Sequence, residues 1–260
     1  MRYDEENDIL EDISFLENKE IWLMTSSSLE RTVLRLLRNY KKKLIDNSGH
    51  ECEPPDYYSN GSKFMFDVMR INDSEKRKSY NPMMIKERKI QKELCDELMG
   101  GGITFEAFNS GLIVNAIPDE DYDKAHNYKQ YFKQFSRTVE KHLKQIENCK
   151  KKHNDYKMGF LIFDETDLYV ECISKEEASK PITGPTAMRI RSYHVPTMDE
   201  NFMEKLLDKR YELDFVVWAM PYKLCTGGPY ELPRLCIIDL KKYKGSKFYK
   251  EYDIGCLRSR

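Results

Sequence analysis

The sequence predicts a mixed α/β fold with one central β-sheet flanked by helices. Three observations carry that expectation. Apolar residues recur at steps of three and four over 28–44 and 122–152, the signature of half-buried helices. Short runs rich in Phe, Val, Ile and Trp mark strands at 64–71, 158–163, 215–220 and 235–240. Helices and strands alternate over 260 residues with no repeat or low-complexity linker, as in one α/β domain.

Composition narrows the function classes. The net charge of -1 gives no bulk attraction to nucleic acid or membrane, so any such attraction has to come from local patches. Seven scattered cysteines without CxxC spacing predict a reduced, intracellular protein. The first twenty residues are acidic and lack an apolar core, so no secretory leader is expected. No apolar run approaches the roughly 20 residues of a membrane span. The expected location is the cytoplasm, with no membrane partner.

In chain order, residues 1–25 predict an acidic N-terminal helix or arm, in which Ile9, Leu10, Ile13 and Leu16 supply a docking face. Residues 26–260 then form a single domain. Ser27 followed by Glu30 fits a capping box, and Leu29, Val33, Leu36 and Leu37 form the stripe of the helix it opens. Pro54, Pro55, Asn60 and Gly61 build a turn into the strand Phe64 to Ile71. Asn81-Pro82 opens a further helix that Gly100, Gly101 and Gly102 stop, and Gly111 to Ile117 reads as a strand. The longest helix runs from about Tyr122 to Lys152, with Tyr128, Phe132, Phe135, Val139, Leu143 and Ile146 inward. Its other face carries Lys129, Lys133, Arg137, Lys141 and Lys144. Strands Met158 to Phe163 and Leu168 to Ile173, flanking Asp164 to Asp167, predict a hairpin. A short helix begins at Met203, and a polar, tyrosine-rich tail closes the chain.

The chemistry centres on Asp56 and Asp67. Asp56 leaves the proline turn, and Asp67 sits in Phe-Met-Phe-Asp-Val-Met, where strand alternation puts it on the face of Met65 and Met69. A carboxylate on an apolar face needs a partner. Two carboxylates brought together suit a hard divalent cation such as Mg²⁺, with water and a substrate phosphate completing its shell. The alternative at these positions is a turn cap for Asp56 and a solvated edge for Asp67.

Pro55-Asp56, ten residues, then Asp67-Val68-Met69 resembles the PD-(D/E)XK signature of restriction-endonuclease-like nucleases, and the match spans roughly residues 26–164. The resemblance implies a nuclease-like core over 26–164 with a β-rich extension over 165–260. It implies metal binding by Asp56 and Asp67, Glu30 as a possible third acid, and Mg²⁺-dependent cleavage of nucleic-acid phosphodiesters. The chain departs from the pattern at the lysine position, which is Met69. Arg70, which follows, holds phosphate but makes a poor base. The expected nucleic-acid contacts are Arg70, Lys129, Lys133, Arg137 and Lys141. The same departure supports a second reading, an inactive nuclease-fold binding or interaction protein.

A second acidic candidate is Asp214 with Asp239 and Lys241, where the signature's lysine is present but no long helix follows. Tyr243, Phe248, Tyr249 and Tyr252 lie among lysines, a pattern suited either to base stacking or to a folded-back tail. His50 with Cys52 lacks a second ligand pair at zinc spacing. His142 lies on the long helix without an HExxH pattern, and His126, His153 and His194 read as surface residues.

Overall fold

A computed structural model describes residues 6–47, 55–71, 128–166, 169–170, 192–221, 233–245 and 257–258. The predicted helix after Asn81, the triple glycine, the strand Gly111 to Ile117, the His50 to Cys52 loop, His126 and the tail beyond Gly245 lie outside them.

Seven strands form one mixed sheet in the order β2-β3-β4-β5-β8-β9-β1. These are β1 (Ile21–Leu23), β2 (Ile45–Asp46), β3 (Tyr57–Ser59), β4 (Phe64–Ile71), β5 (Lys157–Asp164), β8 (Phe215–Ala219) and β9 (Leu235–Asp239). The centre, β4-β5-β8, is parallel, while β2-β3-β4 is an antiparallel meander and β9 runs antiparallel to β8. A separate three-stranded sheet pairs β6 (Tyr169–Val170) with β7 (Ser192–Tyr193) and β10 (Leu257–Arg258).

Every residue of β8 and β9 is buried, and in β5 only Lys157 is exposed. Strands covered on both faces read as continuous apolar runs. One face packs on α1 (Glu6–Phe15) and α2 (Ser28–Arg38) through Phe66, Val68, Leu161, Phe215 and Val217. The other carries Met65, Met69, Phe160, Ile162 and Trp218 against α4 (Tyr128–Lys152) and α5 (Glu200–Leu207). The result is a three-layer α/β arrangement, as the apolar patterning predicts.

Four local expectations change. The helix that begins at Ser28 breaks at Asn39, and a single turn, α3 (Tyr40–Lys43), follows. At the start of α4, Tyr128 is buried as expected, but its inward neighbour is Tyr131, fully buried, while Phe132 is half-buried. The hairpin across Asp164 to Asp167 is absent: both neighbours of β5 are parallel strands, and Tyr169–Val170 belongs to the smaller sheet. Tyr243 is buried in the core and offers no stacking face.

The N-terminal segment is integral to the sheet. Ile9, Leu10 and Ile13 are buried against α2, and β1 pairs in parallel with β9. Arg234 fixes this edge, bonding Asp12 at 2.6 Å and Glu20 at 3.5 Å.

Candidate acidic site

Residues 64–71 alternate so that Phe64, Phe66 and Val68 face α1 and α2 while Met65, Asp67 and Met69 face α4. Asp67 is therefore presented to the long helix, where His142 meets it: Nδ1 lies 2.7 Å from Asp67 Oδ2. Asp67 is 3% exposed, whereas the His142 side chain keeps 16% of its surface and reaches solvent.

Asp56 comes from the proline turn just before β3. Its Oδ2 accepts the Val68 amide at 2.7 Å, which carries the carboxylate across the meander to Asp67. Burial raises the Asp56 pKa, and the neighbouring Asp67 charge and hydrogen bond add to the shift, against the Val68 amide and His142. The sequence-predicted pair is thus brought together, with His142 as a third member. Beside it a small pocket opens, lined by Pro55, Met65, Asp67, Ile146, Cys149, Met158 and Gly159.

Glu30 is elsewhere. It belongs to α2 on the opposite face of the sheet and is 0% exposed. Its carboxylate accepts from Thr25 N and Oγ1, Ser27 N and Asp239 N at 2.9–3.3 Å. The capping box exists as expected, but its glutamate also staples α2 to the end of β9. Met69, at the signature's lysine position, is buried. Arg70 Nε donates to Glu165 Oε1 at 2.6 Å on the other side of β4. Lys129, Lys133, Arg137 and Lys141 form an exposed row on α4.

The second acidic candidate assembles differently. Asp214 Oδ1 lies 2.5 Å from Lys241 Nζ and 3.5 Å from Lys157 Nζ, and Oδ2 accepts the Met158 amide at 3.0 Å. Asp239 directs Oδ1 to the amides of Lys241 and Lys242, capping its own turn. Burial alone would raise the Asp214 pKa, but Lys241, the Met158 amide and Lys150 outweigh it and hold the carboxyl low. This is a carboxylate saturated by cations and amides, a poor metal ligand.

Sequence reading missed a buried polar network. His194 is fully buried, contrary to its reading as a surface residue, with Nε2 2.8 Å from Asp199 Oδ2. Tyr128 donates to Asp199 Oδ1 at 3.1 Å. Tyr131 and Trp218 both donate to Asp164 Oδ2, at 2.6 and 3.1 Å. Burial, with the Asp164 charge beside it, drives the Tyr131 pKa well up, so the phenol stays a donor. The signal that could have found this network is the density of polar residues bordering apolar strands: Asp164 ends β5, and Asp199 caps α5.

Among the described residues no group of three or more His, Cys, Asp or Glu is arranged to hold a metal ion by itself. None of the described helices is long and apolar enough to cross a membrane. No protein-family model, curated protein or solved structure matches the chain.

Proposed function

We propose that the chain is a divalent-metal-dependent phosphodiesterase acting on nucleic acid, with Asp56, Asp67 and His142 as its reacting groups. One observation carries the reading: the two carboxylates of the PD-(D/E)XK-like signature converge beside a pocket, and a histidine stands against the second.

The residues fit a cation. Asp56 and the buried Asp67 lie side by side, and the Asp56 pKa is raised first by burial and then by the Asp67 charge and hydrogen bond. The Val68 amide and His142 each engage one carboxylate, and Asp56 and Asp67 also hydrogen-bond to each other; a cation between them would take the place of that shared bond. Two carboxylate oxygens, with waters and a substrate phosphate, are the ligand set that Mg²⁺ takes. A metal held there would supply a more acidic bound water and charge stabilisation for the departing oxygen.

The side chains do the rest. Asp67 holds His142 by Nδ1, which fixes the ring and leaves Nε2 as the nitrogen that exchanges a proton with water. A neutral imidazole nitrogen accepts a proton and serves as a base where an arginine cannot. His142 thereby takes the part that a lysine plays in the resembling nucleases, from a helix instead of the strand. The exposed row Lys129, Lys133, Arg137 and Lys141 lies on the same helix and suits the approach of a polyanion.

The test is cleavage of plasmid and single-stranded DNA with Mg²⁺, comparing the native chain with Asp67→Ala. Metal-dependent cleavage lost in the variant supports the reading; no cleavage, or equal cleavage by both, removes it. Buried Met69 favours a second reading, a nuclease-like scaffold that binds nucleic acid without cutting it. That reading predicts binding that survives Asp67→Ala and weakens when Lys133, Arg137 and Lys141 are neutralised.

A further inference from the structure

Three lysines from three different parts of the chain converge on one carboxylate where the central strands β5 and β8 begin. Lys150 lies in the last turn of α4, Lys157 begins β5, and Lys241 follows β9. Their ammonium groups stand 3.8, 3.5 and 2.5 Å from Asp214. Lys157 and Lys241 share the single oxygen Oδ1. Two carboxylates act on the cluster, Asp214 and Glu212, so the three ammonium groups outnumber the negative charges set against them.

The crowding registers on Lys150. Burial lowers its pKa and the charges of Lys241 and Lys157 lower it further, while Asp214 and Glu212 offset part of this. Lys150 also donates to the Glu212 carbonyl at 2.6 Å, so the ammonium is held in place. Lys157 and Lys241 keep about half their side-chain surface open, at 52% and 50%. An anchored cation with two reachable ones is a receptor for an anion with several oxygens.

Its position selects the anion. Lys150 directly follows Cys149, and Lys157 directly precedes Met158; both neighbours line the pocket at Asp67. Asp67 is in register with Phe160, three residues along β5 from Lys157, a span of about 10 Å at the usual strand rise. That is of the order of one to two nucleotide steps along a single strand.

We propose that Lys150, Lys157 and Lys241 form a phosphate-binding site for the backbone of a nucleic acid whose neighbouring linkage lies at Asp67. Asp214 is then the positioning carboxylate that gathers the lysines. This rests on the phosphodiesterase reading, and its test is separable from that reading because binding is measured without metal.

The experiment is fluorescence anisotropy of a labelled single-stranded oligodeoxynucleotide in EDTA, over a salt series. It compares the native chain with Lys157→Gln/Lys241→Gln and with Lys42→Gln/Lys43→Gln, an equal charge loss on α3. Loss of two phosphate contacts should reduce the slope of log affinity against log salt by about 1.4, and affinity should fall roughly tenfold near 0.1 M salt. The control pair should stay within about twofold, and polyglutamate at equal charge should compete poorly. Unchanged binding by the Lys157/Lys241 variant, an equal loss in the control, or equal competition by polyglutamate would overturn the proposal. Far-UV circular dichroism and melting of each variant show that the fold is kept. Cleavage with Mg²⁺ that persists beside unchanged oligonucleotide binding would sink the lysine site alone; oligonucleotide binding without cleavage would sink the phosphodiesterase reading alone.

Discussion

His142 Nδ1 and Asp67 Oδ2 are 2.7 Å apart, although 75 residues separate them in the chain. The contact joins the middle of β4 to the middle of α4 across one layer boundary, and it gives a buried strand carboxylate a polar partner.

If His142 moves the proton, His142→Ala should reduce the turnover of Mg²⁺-dependent cleavage by about 10²–10⁴. KM should change little. His142→Lys, which restores a protonatable nitrogen, should recover part of the rate, whereas His142→Phe should not. Steady-state kinetics on a short labelled duplex read both. A merely structural histidine would lower the melting temperature and leave the turnover of the folded chain unchanged.

Asp56 and Asp214 make opposite predictions for stability against pH, measured in EDTA. Asp56 has a raised folded-state pKa, so above the unfolded value of about 3.9 the folded chain holds more protons than the unfolded one. Its stability contribution therefore falls as pH rises. Asp56→Asn, which can still accept the Val68 amide, should melt above the native chain at pH 7, with the gain vanishing below about pH 4. Asp214 has a lowered folded-state pKa, and its contribution is present above the unfolded value and lost as pH falls through the folded one. Asp214→Asn should melt lower at neutral pH. Thermal melts over the two pH values decide both signs.

Glu30 is tied into the fold, away from the third-acid position that the resemblance implies. Removing its carboxylate leaves the half-buried Thr25 donors and the buried Ser27 and Asp239 amides to find new partners, at about 1–3 kcal/mol for each one left unsatisfied. Glu30→Ala should lower stability by about 3 kcal/mol or more on that basis, read by urea unfolding. Glu30→Gln, which keeps the shape, should retain Mn²⁺ binding; loss of binding with the fold intact would make Glu30 a ligand after all.

Gly159 is required by the approach of β5 to β8, since a Cβ there would meet the Phe215 carbonyl and ring. Gly159→Ala should cost about 1–3 kcal/mol through overpacking in a sheet with no room to shift. The same urea titration checks it, and an unchanged midpoint would contradict the packing account.

How much of this is legible in the sequence depends on how local each signal is. The strand at Phe64 to Ile71, the face of Asp67 and the box at Ser27 and Glu30 all follow from spacing within a few residues. The false hairpin after β5 shows the limit. Asp164 to Asp167 has turn chemistry, yet the uninterrupted apolar run before it already marks a strand buried on both faces, and such strands pair in parallel with distant ones. Spacing selects Phe132 where the fold buries Tyr131, because both lie within a step of the inward stripe. His142, the Asp199 partner of His194, and the Asp239 amide on Glu30 are contacts that the fold alone creates, and no motif announces them.

The central claim is that Asp56 and Asp67 hold a divalent cation together. The direct measurement is titration of Mn²⁺ into the metal-stripped chain, followed by calorimetry and the loss of free-ion paramagnetic resonance signal. The account predicts one saturable site that disappears in Asp67→Asn, weakens in Asp56→Asn and survives in Asp214→Asn. Saturable binding that Asp67→Asn leaves unchanged, or no binding by the native chain, would contradict it.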